Sequence, residues 1–506
     1  MNATPLSASR LGLMTLGLGL GTFLVSLDFA VANVAIPNIS GDLAVSPSQG
    51  TWAITSFTAA NAIALPLTGW LARRFGEVRL FVAAGLLFTL FSLLCGLSPN
   101  LETLVVMRVL QGVVSGPMLP LSQSLLLRHF PAHLKGMALA VVSMTVTVAP
   151  LTGPIIGGAI TDNWSWPWIF FINLPLGLLA AALVWSTLRD RETERARLPI
   201  DGVGLALLMI WVTALQVLLD KGQEIDWFAS SFGLALGIAA AVALVVFVIW
   251  ELGDRHPVVD LTLYGDRNFF IGAMATSLPW SILFAGLVVF PLWLQTNMGY
   301  TPTWAGVATA AFGVFIMLLT PVVGRLLGRI NLKYLLTLSF SLLWLGTYLG
   351  SRANTDATLW DAALPRLVQG AGLGMFFVPL LTIALSNMPP QRLAAATGLF
   401  YFTRTLAGSI GVSLGITVWD RRETLHHARL AELFGSDALA RMWDYGGERM
   451  ASALPAQYAL AERLLARQAN MLGFNDLFYA SCWLLPPLLL LVWLAKPPFV
   501  AAGGRP

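Results

Sequence analysis

Long apolar stretches alternate with short polar ones along the whole chain. Runs of mostly 17–25 apolar residues fall at 11–36, 50–71, 78–97, 102–126, 137–160, 168–188 and 203–219. They continue at 231–250, 269–292, 303–324, 333–350, 361–386, 397–419 and 473–495. About 20 apolar residues cross a bilayer as a helix, and a lone strand cannot satisfy its backbone in lipid. The pattern predicts an all-α polytopic membrane protein with fourteen transmembrane helices. One position breaks it. Of the 26 acidic residues, Asp28 alone sits in the middle of a run. A charge at the bilayer centre costs about 2.5–3.5 kcal/mol on insertion scales, so Asp28 is the first candidate functional residue.

Composition agrees: 57% of residues are hydrophobic and 11% charged, with a mean hydropathy of +0.74. Cys95 and Cys482 lie inside apolar runs, which suggests neither a disulfide frame nor a metal site. His129, His133, His256, His426 and His427 fall in connecting loops, away from where a membrane haem or metal centre would want them. No cofactor is expected. With the N-terminus placed inside, eighteen of the 30 Lys and Arg fall on cytoplasmic segments, and the short outer loops carry only Lys221 and Arg352. Both termini are therefore expected in the cytoplasm. The basic balance is accounted for by orientation, without a nucleic-acid partner. Arg10, the first run and Ala30-Val31-Ala32 imitate a cleavable signal. That run is too long for one, and cleavage would discard Asp28.

Internal repetition sets the architecture. RVLQGVVSG at 108–116 recurs as RLVQGAGLG at 366–374, so Arg108, Gln111 and Gly112 map onto Arg366, Gln369 and Gly370 at an offset of 258. Gly153 and Gly157 meet Gly411 and Gly415 at the same offset, and TWA at 51–53 recurs at 303–305. Spans 1–6 (1–188) and 9–14 (268–506) thus form two pseudo-symmetric halves, around a linker (189–267) with an inserted helix pair. The second half includes a long outer segment, 420–472. Parallel repeats of this kind predict a transporter with its site near the midplane between them. The offset also places Gly286 opposite Asp28, so the second half has the base without the acid.

Arg108, Gln111, Gly112 and Ser115 share one helical face. Arg108 either faces inward and tunes a proton site, or snorkels towards the headgroups. APLTGPIIGG at 149–158 puts Pro150, Gly153, Pro154, Gly157 and Gly158 in one span. Relative to Ala, Gly costs a helix about 1 kcal/mol and Pro about 3. The stretch is expected to be kinked and closely packed, against a neighbour or along a seam that opens as the halves rock. GWLARRFGEVR at 69–79 is a tight turn whose arginines carry orientation.

Together these stretches resemble the major facilitator superfamily, in particular its fourteen-helix drug:proton antiporters of the EmrB type. LDFAVANVAIP at 27–37, with Asp28, Asn33 and Pro37, is similar to that branch's first-helix motif. RVLQG at 108–112 looks like the fourth-helix motif, and GPIIGG at 153–158 like the fifth-helix motif of antiporters. WSWPWIFFINLPLG at 164–177 and FTRTLAGSIG at 402–411 are also EmrB-like. The loop at 69–80 resembles the superfamily's loop between helices 2 and 3 and keeps Gly69, Arg74 and Gly76. Arg73 replaces its expected Asp, and Glu77 and Val78 replace basic positions. Gating through that Asp is not carried over.

The resemblance implies proton-driven export of amphipathic drugs across a bacterial inner membrane, with a proton gradient as the only energy source. Asp28 would be the proton site and Arg108 its modulator, with Arg366, Gln369, Gly370 and Arg404 as second-half counterparts. One proton moving down 100 mV yields about 2.3 kcal/mol, enough for a gradient of roughly tens-fold. The branch also implies a periplasmic membrane-fusion adaptor and an outer-membrane channel as partners. Amphipathic runs in 420–472 would dock the adaptor or cap the outer mouth. Two rivals stand beside this reading. One is a symporter or uptake carrier on the same fold. The other is a membrane-embedded lipid-modifying enzyme, for which the sequence supplies no nucleophile or metal cluster.

Overall fold

The computed structural model describes residues 6–131, 134–196, 199–327, 329–433, 454–497 and 499. The first half comprises α1 (Ala8–Asp42), α2 (Pro47–Gly50), α3 (Trp52–Phe75), α4 (Glu77–Gly96), α5 (Leu101–Ser115), α6 (Met118–His129), α7 (Lys135–Asn163), α8 (Trp168–Phe171) and α9 (Asn173–Leu188). The pair α10 (Gly202–Lys221) and α11 (Ser231–Gly253) follows. The second half comprises α12 (Arg267–Thr296), α13 (Pro302–Leu326), α14 (Leu332–Gly350), α15 (Leu359–Leu385), α16 (Leu393–Leu433), α17 (Leu454–Leu484) and α18 (Pro486–Trp493).

Every predicted run falls on helix, and twelve helical stretches among the described residues are long and apolar enough to cross a membrane. The predicted spans 50–71 and 137–160 lie on α3 and α7, helices of 24 and 29 residues. Polar caps set several starts: Asn100 accepts from Thr103 N at 2.9 Å, and Asp201 accepts from Gly204 N at 2.9 Å. The chain turns from α3 into α4 at Gly76, whose φ of +88° favours glycine. There Glu192, from the linker, caps α4 by accepting from Val78 N and Arg79 N at 3.1 and 2.9 Å.

Packing repeats as the sequence does. In the first half α1 lies on α7, and α3 and α4 lie on α5. In the second half α12 lies on α16, and α13 and α14 lie on α15. Between the halves α3 meets α16 and α7 meets α13, two contacts that the pseudo-twofold exchanges. The inserted α10 and α11 pair with each other, and α10 rests on α3. The outer side of α11 presents Ile238, Val242, Val245 and Ile249, a face fit for lipid.

The halves meet at the end that carries Arg73, Arg128, Lys135, Arg325 and Arg392, called the basic end below. A Cβ on Gly69 of α3 would stand 2.7 Å from Ala395 Cα of α16, and one on Gly136 of α7 would stand 2.7 Å from Gly324 O of α13. Thr397 donates to Pro120 O at 3.2 Å, and Gln123 donates to the Tyr401 hydroxyl. Leu65, Leu139, Leu381, Leu399 and Phe400 are buried in one cluster there.

At the opposite end the chain departs from one expectation. His426 and His427 lie on helix, because α16 continues without a break for 41 residues. At 1.5 Å per residue it runs roughly 60 Å, twice the thickness of the hydrocarbon core. α17 returns alongside, joined by Arg422 and His426 to Asp476 at 2.5 and 2.7 Å. Residues 434–453 of the predicted docking segment lie outside the described residues, as does His133.

Candidate proton-coupling site

Close packing presents Asp28 to its partners. A Cβ on Gly153 of α7 would overlap Ala30 of α1, and one on Gly157 would stand 3.0 Å from Val31 Cγ1. The glycines of the GPIIGG stretch therefore seat α1 within its own half; the seam between the halves is built from other residues. Gly158 meets nothing within 4 Å. Asp28 is 2% exposed, and Arg108, Gln111 and Asn173 are wholly buried.

Three side chains donate to the Asp28 carboxylate: Arg108 NH1 to Oδ2 at 2.5 Å, and Asn173 Nδ2 and Gln111 Nε2 to Oδ1 at 2.9 and 3.3 Å. Arg108 does not snorkel. Its NH1 also donates to Gln111 Oε1 at 2.8 Å, its Nε to Ala53 O at 2.8 Å, and its plane lies 4.2 Å from the Phe57 ring centre. Its NH2 is buried without a hydrogen-bond partner. α3 comes this close because a Cβ on Gly112 would stand 2.5 Å from Phe57 O. Asn173 in turn donates to Ser92 Oγ at 2.9 Å. One carboxylate thus ties α1 to α5 and α9, and through Ser92 to α4. A charge-assisted network of this kind is strong while Asp28 is ionised and changes its donors when it is not.

Asn173, Ser92, Phe57 and Ala53 were not singled out from sequence. Asn173 carries a signal that finds it: it is the one carboxamide in the run 168–188. The side chains of Asn33, Pro37 and Pro154 lie outside what the structure describes.

The second half repeats the frame without the acid. Arg366 NH1 donates to Gln369 Oε1 at 2.9 Å, as Arg108 does to Gln111. Where Asp28 would stand, Gly286 offers its backbone oxygen to Arg366 NH2 at 2.9 Å. Gly370 presses on the Phe312 backbone as Gly112 does on Phe57. Arg404 joins neither cluster.

The expected turn over 69–79 is a single residue, Gly76; Gly69 and Arg74 lie on α3 before it, with Arg74 5.4 Å from the Trp70 ring centre. The acid missing at Arg73 has a neighbour that makes a charge contact here. Glu77 is buried and accepts from Arg128 NH2 at 2.9 Å and from Ser124 Oγ at 3.0 Å. Arg128 also donates to Pro390 O of the other half at 3.2 Å. Glu77 therefore positions an arginine that bridges the halves. Glu77→Gln keeps the shape and removes the charge, a loss of about 1–2 kcal/mol. It is expected to shift the halves roughly tenfold towards opening at this end. Spin labels on the exposed Arg73 and Gln391 read this as a longer distance population, and an unchanged distribution would remove Glu77 from the contact.

Two pseudo-symmetric helical halves that meet at one end, with a buried acid–base pair in one of them, have the architecture of a secondary transporter. The chain belongs to the Major Facilitator Superfamily, whose sequence profile matches residues 18–412. It is 46% identical over 506 residues to the fatty acid resistance protein FarB of Neisseria gonorrhoeae, across the whole of both chains. It is also 46% identical to the multidrug export protein EmrB of Escherichia coli (strain K12), covering 99% of this chain and 98% of that one. EmrB of Haemophilus influenzae is 46% identical over 499 residues, 98% of each chain. The EmrB-type resemblance thus extends over the full length. Among solved structures, the proton:xylose symporter XylE aligns with a TM-score of 0.61 at 15% identity, covering 98% of both chains. The human organic anion transporter MFSD10 aligns at 0.59 and 14%, covering 94% of this chain and 99% of that one. At these identities the likeness is one of fold.

Proposed function

We propose that the protein is a proton-coupled multidrug efflux antiporter of the bacterial inner membrane, exporting amphipathic toxic compounds by alternating access. The observation that carries this reading is the buried Asp28–Arg108 pair, whose acid has no counterpart in the second half. The relatives named for multidrug export and fatty acid resistance support export of amphipathic compounds.

In the present conformation the halves touch at the basic end, which the positive-inside rule assigns to the cytoplasm together with both termini. A proton then reaches Asp28 from the outer side. The neutral acid gives up the charged half of its bond to Arg108, and the grip of α1 on α5 and α9 loosens. Release follows when the halves part at the basic end, where an outgoing compound enters. Proteoliposomes with an imposed pH gradient test this, using three amphipaths of different charge: ethidium, 1-naphthamide and 1-naphthoate. At least one should leave against its gradient as protons enter, only where the protein is present. Co-entry of compound and proton would mean a symporter, and no coupled flux with any probe would overturn the reading.

We also propose that the arms of α16 and α17 dock a periplasmic adaptor leading to an outer-membrane channel. Their continuation past the bilayer, with His427 reaching Glu462 at 2.9 Å, supports a preformed surface. Deleting 430–465 should abolish adaptor co-purification from cells; undiminished recovery would reduce the arms to a cap.

A further inference from the structure

Three arginines are buried among the described residues, and two have polar partners. Arg108 has Asp28, and Arg366 has Gln369 and Gly286 O. Arg404, on α16, is 6% exposed and makes no hydrogen bond or ion pair among the described residues. Its Nε is buried and unpartnered. The guanidinium is enclosed by aromatic faces instead: Trp280 at 4.2 Å, Tyr401 at 4.4 Å and Phe377 at 5.2 Å from the ring centres. Ring faces attract a cation but supply no counter-charge, and an uncompensated charge inside a membrane is strongly unfavourable. Among the described residues no anion faces it.

A place for it adjoins the guanidinium. Arg404 borders a cavity of about 20 Å³ whose wall also includes Ser143 and Val146 of α7, Thr320 of α13 and Phe376 of α15. The wall is drawn from both halves. The repeat offset of 258 carries Val146 onto Arg404, so repeat-related positions face one cavity, apolar from the first half and cationic from the second. The cage is also joined to the contact between the halves, because the Tyr401 hydroxyl accepts from Gln123 of α6.

We propose that Arg404 is the anion-binding residue of a midplane substrate site, which selects amphipathic compounds bearing one negative charge, a carboxylate above all. A planar guanidinium matches a carboxylate in both geometry and charge, and the aromatic walls accept the apolar body. The cavity now admits only a water-sized group, so the ligand enters as the halves part. A cationic amphipath meets repulsion at the same place. This rests on the export reading above and adds to it the charge of the cargo and the residue that reads it.

The test is calorimetric, on the full chain in lipid nanodiscs, with 1-naphthoate against its uncharged isostere 1-naphthamide. The wild type should bind the acid at least tenfold more tightly than the amide. Arg404→Gln should bring the acid to the level of the amide, abolishing the preference. Arg404→Lys, which keeps the charge and loses the fork, should retain part of the preference. Equal binding by the wild type, no saturable binding of the acid, or full preference in Arg404→Gln overturns the proposal. The wild-type comparison decides even where a variant fails to fold. Coupled ethidium flux without acid preference would sink this site and spare the antiporter. Arg404-dependent acid binding without coupled flux would do the reverse.

Discussion

Asp28→Asn should abolish compound-driven proton flux in proteoliposomes, by at least about 100-fold against the wild type. An amide has nearly the shape of the carboxylate but carries no proton through the cycle. It also strands Arg108, whose NH1 now lies 2.5 Å from the carboxylate and whose NH2 already lacks a partner. Removing one member of a buried ion pair costs about 3–5 kcal/mol. Lower flux alone could therefore reflect a damaged fold. The double variant Asp28→Asn/Arg108→Gln separates the two effects, because it removes the orphaned charge with the acid. It should recover most of the thermal stability lost by the single variant and none of the flux. Asp28→Glu keeps a titratable group one methylene out of place and should retain partial flux. Normal uphill export by Asp28→Asn would end the proton role of this residue.

What the sequence made legible follows from energetics. Asp28 and Arg108 stand out in one dimension because a charge in an apolar run is costly wherever it points. Their pairing was inferable for the same reason: each is the nearest relief for the other. Asn173 lay within a run quoted for its resemblance, yet neither composition nor spacing says that α9 turns it towards α1. Ser92 and Phe57 carry no signal, and Ala53 only its place in the repeated TWA, since their roles depend on which helices cross there. Gly153 and Gly157 announced close packing but not against what. The structure answers α1, and gives the seam between the halves to Gly69, Gly136, Gly324 and Gly398. Arg404 was visible as a residue, but lacking a counter-charge is a property of a neighbourhood. His426 and His427 were read as loop because hydropathy marks where a membrane ends, not where a helix does.

Gly69→Val should stop turnover by a different route, disfavouring the present conformation without damaging either half. The three atoms nearest to a Cβ at Gly69 all belong to Ala395 of the opposite half, including its Cα at 2.7 Å and its N at 3.2 Å. Backbone cannot step aside as a side-chain tip can. Overpacking of this kind costs about 1–3 kcal/mol, which shifts a two-state equilibrium roughly 5- to 150-fold. Once the halves part at the basic end, Ala395 moves away and the penalty vanishes. The variant should therefore rest open at that end, with the label distance between positions 73 and 391 lengthened, thermal stability near that of the wild type, and coupled flux reduced at least tenfold. Gly112→Val is the control. Its Cβ would meet Phe57 O at 2.5 Å inside one half, in either conformation, so that variant should lose stability outright. If Gly69→Val transports at the wild-type rate with an unchanged label distance, the contact between α3 and α16 is not the closure that alternating access must break.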